Sequence, residues 1–181
     1  MDKVPVFVLT GFLGAGKSTL LNRLLQDPAY ADTAIIINEF GDVALDHDLM
    51  RVGSTQVART ITGCLCCTRS GDARATLHER AVIRDAGDIA FARVVIETTG
   101  LADPAPLVNR LTPGGAPAFG LQDHLVARAF ALAGVVAAVG TASGDASIDS
   151  HFEAAKQIAF ADRRRRVELG RDPPEPCGIW T

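Results

Sequence analysis

The sequence predicts an α/β domain with a mostly parallel sheet and helices on both of its faces. Short apolar runs bounded by turn residues alternate along the chain with stretches of helical period. Two of these runs, at Ile35–Ile37 and Val94–Ile96, are apolar at consecutive positions, which is typical of strands buried on both faces. The 181 residues, of which 48% are hydrophobic, are sufficient for the core of one globular domain.

The first half of the chain contains clear strand and helix patterns. Val4–Thr10 is predicted to be a buried strand that runs into a glycine-rich turn. A helix is predicted from Lys17 to about Gln26, because the leucines at positions 20, 21, 24 and 25 form one apolar stripe. Asp27-Pro28 ends that helix, and Thr33–Asn38 is the second predicted strand.

The second half repeats the alternation. The predicted elements are a helix over Asp72–Ala86, a strand over Arg93–Thr98, a helix starting near Pro104, a flexible loop over Thr112–Gly120, a strand over Gly134–Val139 and a helix over Ser150–Ala161. Residues 40–70 are polar, contain several glycines and fit no regular element.

Composition excludes several classes of function. The formal net charge is -3 and the basic residues are scattered apart from one run, so the sequence predicts no nucleic-acid partner. The longest apolar stretch, around Ala129–Val139, is too short to span a bilayer, so no membrane association is expected. The first residues show no pattern of an export signal, and the expected location is the cytoplasm.

The strongest motif is Gly11-Phe-Leu-Gly-Ala-Gly-Lys-Ser18, which fits the P-loop pattern G-x-x-x-x-G-K-[ST] between a predicted strand and a predicted helix. Its glycines let successive backbone N–H groups converge on phosphates, and the helix N-terminus adds the positive end of its dipole. Lys17 would reach the β and γ phosphates, and Ser18 would bind Mg²⁺. The candidate nucleotide-binding residues are Gly11, Gly14, Ala15, Gly16, Lys17 and Ser18.

Two further segments carry acids next to predicted strand ends. Glu97 lies near the end of the third predicted strand, and Gly100 follows the strand. They match the acid and the glycine that lie near Mg²⁺ and the γ-phosphate in P-loop proteins. By itself a strand that ends in Glu before a turn glycine is ordinary. Glu39 and Asp42 leave the second strand, where the segment is either a solvated loop or a switch near Mg²⁺.

A cysteine cluster lies in the segment without regular pattern. Cys64, Cys66 and Cys67 are close enough to share a soft or borderline metal ion such as Zn²⁺, but three adjacent cysteines do not readily close a tetrahedral site. The fourth ligand would come from Asp42, Glu39, His47, water or a second protein. Buried small hydrophobic residues and a redox pair are the two alternative interpretations of the cluster.

Four motifs in this order resemble one known family. GFLGAGKSTLLN, INEFGDVALD, GCLCC and ETTGLADP, together with QIAFAD at Gln157–Asp162, are similar to the CobW-type GTPases, relatives of UreG and HypB, over residues 4 to about 162. The resemblance implies a P-loop domain that binds GTP, hydrolyses it slowly and delivers a metal, commonly zinc or cobalt, to a client metalloprotein. A homodimer is compatible with the resemblance.

The resemblance also implies roles for single residues. Lys17, Ser18 and Thr19 would bind phosphate and Mg²⁺, and Glu39 and Asp42 would lie in the switch region. The candidate catalytic residues are Lys17, Glu39 and Glu97, and the candidate metal ligands are Cys64, Cys66, Cys67 and Asp42, with Ser18 for Mg²⁺.

The chain departs from the family after Asp162. Family members continue with an apolar strand and an N/T/S-K-x-D motif that reads guanine, whereas this chain has Arg163–Arg166 followed by polar residues and a proline pair. Gly140 stands where many relatives carry aspartate. We therefore expect an incomplete GTPase domain over residues 1–162 and a disordered, aberrant tail over 163–181 that leaves a sheet edge exposed, from a truncated or frame-shifted gene.

Three other functions are compatible with parts of the sequence. An ATP-dependent small-molecule kinase would also use the P-loop, although the cysteine cluster argues against it. A non-catalytic metal-binding module would bind nucleotide without hydrolysing it. An inactive gene fragment would have none of these activities.

Overall fold

Five parallel strands form one sheet in the part of the chain that the structure describes. The computed structural model describes residues 3–38, 73–87, 91–112, 114, 120–141 and 144–167. Its elements are β1 (Val4–Thr10), α1 (Lys17–Gln26), a 3₁₀ turn (Pro28–Tyr30), β2 (Thr33–Asn38), α2 (Ala73–Asp85), β3 (Arg93–Thr98), α3 (Ala105–Leu111), α4 (Leu121–Ala129), β4 (Phe130–Gly140), α5 (Gly144–Ser150), α6 (Phe152–Ala159) and β5 (Arg163–Val167).

The strand order is β2-β3-β1-β4-β5, which places β1 in the middle of the sheet. Each neighbouring pair is parallel, and Leu9 of β1 lies opposite Glu97 of β3. Because parallel strands all end at the same edge, the carboxyl ends of β2, β3 and β1 lie side by side there. Ligands of open α/β sheets bind at this edge.

The core lies on both faces of the sheet, as the sequence predicts. On one face, Val6 and Val8 of β1 pack in a cluster with Leu77 of α2 and Val126 of α4. On the other face, Leu9 packs with the leucine stripe of α1, in which Leu21 is fully buried. The α/β fold class with helices on both faces is therefore confirmed.

The element boundaries agree with the sequence in the first half and differ in the second. β4 begins at Phe130 rather than Gly134, and Phe130 is buried against Phe91, with 6.4 Å between ring centroids. The helix predicted over Ser150–Ala161 corresponds to α6, which spans Phe152–Ala159. The sequence did not predict α5, which ends at Ser150 and is separated from α6 by the extended backbone of His151. The sequence did not predict the helix α4.

The expectation that no strand follows Asp162 is wrong for residues 163–167. Those residues form β5, in which Arg163 lies opposite Val136 and Val167 lies opposite Gly140. Asp162 aligns the chain for this pairing, since its N–H donates to the Val135 carbonyl over 2.9 Å and its carboxylate accepts from the Val135 N–H over 2.8 Å. Strand pairing uses backbone groups that arginine carries as well as valine does. Residues 168–181 lie outside the described part of the chain.

Within the described residues, no helix is both long and apolar enough to cross a membrane.

Candidate nucleotide-binding site

The glycine-rich loop connects the central strand β1 to α1. Gly16 stands at the N-terminus of α1 with φ 85°, a left-handed conformation that side chains other than glycine rarely adopt. At the start of the loop, a Cβ on Gly11 would lie 2.4 Å from the Ala138 carbonyl oxygen of β4. Both glycines are thus required by the backbone. The remaining candidates of the loop, Gly14, Ala15 and Thr19, lie in the same turn and the first turn of α1.

Lys17 is the first residue of α1, and its side chain lies along the loop. Its Nζ donates to the Gly11 carbonyl over 2.9 Å and lies 3.4 Å from the Phe12 carbonyl, and the residue is 8% exposed. These contacts keep the ammonium group at the loop, where backbone N–H groups and the N-terminus of α1 also favour negative charge. Phosphate oxygens are the ligands that suit such a site.

Ser18 and Glu97 come together from positions 79 residues apart. The Ser18 hydroxyl donates to Glu97 Oε1 over 2.9 Å, and Glu97 is 1% exposed. The contact follows from the sheet order, because β3 lies directly beside β1. A hydroxyl next to a carboxylate is a donor set that Mg²⁺ accepts, and P-loop proteins use this pair for it. These two residues therefore fit that ion.

The loop after β3 lies directly on the glycine-rich loop. A Cβ on Gly100 would lie 2.7 Å from the backbone nitrogen and 2.8 Å from the Cα of Leu13. Beneath this contact, the Thr98 hydroxyl donates to Thr10 Oγ1 over 3.0 Å, and both threonines are buried. The two predicted halves of the site are therefore in contact.

The structure also places two residues of α6 beside the site, and the sequence did not predict a role for either. The Gln157 side-chain amide donates to the carbonyls of Gly100 and Ala102 over 3.1 and 3.0 Å. Lys156 forms an ion pair with Asp103 at 2.9 Å. The hydrogen bond from the Ala105 N–H, together with Lys156, lowers the pKa of Asp103. The only sequence signal for these contacts was the QIAFAD segment within the family resemblance.

The predicted switch and cysteine residues lie outside the described part of the chain. They are Glu39, Asp42, His47, Cys64, Cys66, Cys67 and Cys177. Among the residues that the structure does describe, no group of three or more His, Cys, Asp or Glu side chains is placed to hold a metal ion. The cysteine metal site therefore stays a prediction.

Position and chemistry together define the class of protein. A glycine-rich loop that carries Lys17 follows the central strand, and Ser18 of α1 contacts Glu97 of the neighbouring strand. This arrangement places the chain among the P-loop nucleotide-binding proteins. Residues 5–164 match the CobW/HypB/UreG nucleotide-binding domain, and the chain belongs to that family.

Individual relatives agree with this assignment. The chain is 36% identical over 163 residues to the zinc chaperone YjiA of Escherichia coli (strain K12), which covers 90% of this chain and 48% of that protein. It is 38% identical over 118 residues to the zinc chaperone CobW of Pseudomonas aeruginosa, covering 60% of this chain and 30% of that protein. A zinc-regulated GTPase metalloprotein activator 1 of Saccharomyces cerevisiae is 30% identical over 183 residues, covering 89% and 40%.

The fold of a solved relative is similar. The crystal structure of the Zn(II)-bound YjiA GTPase from E. coli matches with a TM-score of 0.65 and 33% sequence identity, over 92% of this chain and 49% of that one. The chain thus spans about half the length, or less, of the relatives that it matches.

Proposed function

We propose that this chain is the nucleotide-binding domain of a GTP-dependent metal chaperone that binds zinc or cobalt and delivers it to a client metalloprotein. The observation that carries the proposal is the 2.9 Å contact between Ser18 and Glu97, which joins the two sequence-predicted halves of a P-loop site. Relatives named zinc chaperone and zinc-regulated GTPase metalloprotein activator support the same function.

Each part of the site has a distinct role in this proposal. The backbone N–H groups of the loop and the Lys17 ammonium bind the β and γ phosphates and offset their charge. Ser18 and Glu97 hold Mg²⁺, which supplies further positive charge at the phosphates when bound. Gly100 brings the loop after β3 to the γ-phosphate side of the P-loop. Catalysis in such a site comes mainly from positioning and electrostatic stabilisation.

The cargo metal is assigned to the cysteine cluster. Cys64, Cys66 and Cys67, with Asp42, offer thiolate and carboxylate ligands for Zn²⁺ or Co²⁺. The segment that carries them starts after Asn38, which pairs with Thr98 at the carboxyl edge of the sheet. Because β2 ends beside Glu97, the nucleotide state can bias the conformation of the residues that follow and therefore the affinity for the metal.

The proposal also includes a client, a compartment and an assembly. The client is a metalloprotein that accepts the ion, and the compartment is the reducing cytoplasm, in which free thiolates persist. A homodimer is one assembly in which a second copy would supply the missing metal ligand.

The test is a measurement of Zn²⁺ affinity as a function of nucleotide state. We expect the Kd for Zn²⁺ to differ by about fivefold or more between the complexes with GDP and with a non-hydrolysable GTP analogue. Single-turnover hydrolysis of GTP should also be detectable. Identical Zn²⁺ affinities with both nucleotides, together with no hydrolysis, would contradict the proposal and indicate a non-catalytic metal-binding module.

A further inference from the structure

The short helix α6 touches both halves of the nucleotide site. At its N-terminal end the His151 ring stacks on the Phe12 ring of the P-loop, with centroids 4.5 Å apart and 21° between the ring planes. Six residues further on, Gln157 is bonded to the loop after β3. The helix and the residue before it therefore contact both the glycine-rich loop and the loop that carries Gly100.

Gln157 is held in one orientation. Two carbonyl oxygens, of Gly100 and Ala102, face its side chain, so its NH₂ group must point toward them. Its Oε1 is buried and has no hydrogen-bond partner among the described residues. A buried unpaired carbonyl costs stability, so the two donated bonds carry the preference for this arrangement.

The two bonds fix a turn. The Ala102 N–H donates to the Thr99 carbonyl over 3.2 Å, and Gln157 binds the carbonyls inside and at the end of that turn. Because peptide units are planar, fixing these carbonyls also fixes the N–H groups that follow them. A peptide flip in the turn would break the bonds to Gln157.

We propose that Gln157 is a positioning residue that keeps the turn at residues 99–102 against the P-loop and so prepares Gly100 for a nucleoside triphosphate. The inference rests on the proposed nucleotide site and assigns to it a part that the P-loop motif does not include. The close approach of Gly100 to Leu13 means that movement of this turn is felt directly by the P-loop.

A second contact from α6 acts in the same direction at the surface. Lys156 holds Asp103, the residue after the turn, through an ion pair of 2.9 Å between half-exposed groups. Asp103 also accepts from the N–H of Ala105, the first residue of α3, over 2.9 Å. Gln157 and Lys156 are consecutive, so the two tethers depend on the same placement of α6.

The two nucleotides should respond differently to loss of the tether. A diphosphate is held by the P-loop, whereas a triphosphate also reaches the loop after β3. If that loop is no longer prepared, the triphosphate must order it on binding and loses affinity, while the diphosphate is little affected.

The experiment compares the affinities of GDP and a non-hydrolysable GTP analogue in the wild-type chain and in Gln157→Met. Methionine has similar length and no charge, so it removes the two donors without adding electrostatic repulsion of phosphate. We expect the Kd for the GTP analogue to rise by about fivefold or more, and the Kd for GDP to change by less than about twofold. Val126→Ala, a core change in α4, controls for general destabilisation and should leave the ratio of the two Kd values unchanged.

Asp103→Asn provides a surface variant in case Gln157→Met does not fold. Removing a negative charge would by itself strengthen triphosphate binding, whereas losing the tether to Lys156 should weaken it. A raised Kd for the GTP analogue therefore supports the inference, and a lowered Kd contradicts it. A wild-type chain that binds neither nucleotide would contradict the proposed function and with it this inference. Binding by the wild type with an unchanged Kd ratio in Gln157→Met would contradict the inference alone.

Discussion

Gly100→Ala is the sharpest test of how closely the two loops of the site approach each other. The new Cβ would lie 2.7 Å from the nitrogen and 2.8 Å from the Cα of Leu13. Real Cβ atoms essentially never come within 3.0 Å of a heavy atom outside their own residue and its chain neighbours. Both contacts are to backbone, so no side chain can rotate away, and the P-loop must separate from the loop after β3. Overpacking of this kind costs about 1–3 kcal/mol.

The assay is urea unfolding together with titration of a GTP analogue. For an m-value of about 2 kcal/mol/M, the expected loss lowers the urea midpoint by about 0.5–1.5 M. Affinity for the GTP analogue should fall, since the displaced loop no longer meets the γ-phosphate.

Gly134→Ala is the matched control. Its Cβ would meet Phe7 at 3.6 Å and the Asp162 carboxylate at 3.8 Å, which are ordinary contacts. Alanine there should be neutral or should stabilise by about 0.4–1 kcal/mol through the unfolded state. If Gly100→Ala were as stable as Gly134→Ala and bound the GTP analogue as well as wild type, the inferred contact between the loops would be refuted.

Four further predictions address the phosphates, the metal, the base and pH. Lys17→Ala should abolish triphosphate binding and leave the fold intact, and unchanged affinity for a fluorescent GTP analogue would argue against this role of the loop. Cys66→Ser should lower Zn²⁺ affinity by about tenfold or more, whereas Cys177→Ser should not; equal losses in a Zn²⁺ titration would contradict a local cluster. In competition titrations the 181 residues should prefer GTP to ATP by less than about tenfold, because they contain no N/T/S-K-x-D motif after Asp162, and a hundredfold preference would require another guanine-reading residue. The pKa of Asp103 is lowered in the folded chain, so its ionised form stabilises the fold at pH values above its unfolded pKa. The difference in unfolding free energy between wild type and Asp103→Asn should therefore shrink as the pH falls below about 4. A difference independent of pH would be inconsistent with the ion pair.

The sequence alone was sufficient for features that depend on neighbouring residues. The α1 stripe of leucines has helical period, so the helix and its buried face could be predicted from Lys17 to Gln26, and the structure has the same bounds. The consecutive apolar residues of β3 likewise predicted a parallel strand buried on both faces. Those of β2 predicted the same, but β2 is an edge strand of the described sheet and Ile35 is only partly buried. The glycine pattern predicted the P-loop, because a chain that must curl tightly before a helix requires glycine at set positions.

Tertiary structure alone decided which distant residues meet. Strand order places β3 beside β1, and only then does Glu97 reach Ser18 and Gly100 reach Leu13. Gln157 contacts backbone carbonyls, which every residue has, so no residue type in the partner loop could reveal the contact beforehand. The same reason explains β5: its pairing with β4 is made by backbone groups, and the run of arginines therefore gave no apolar signal of a strand that the sheet nevertheless includes.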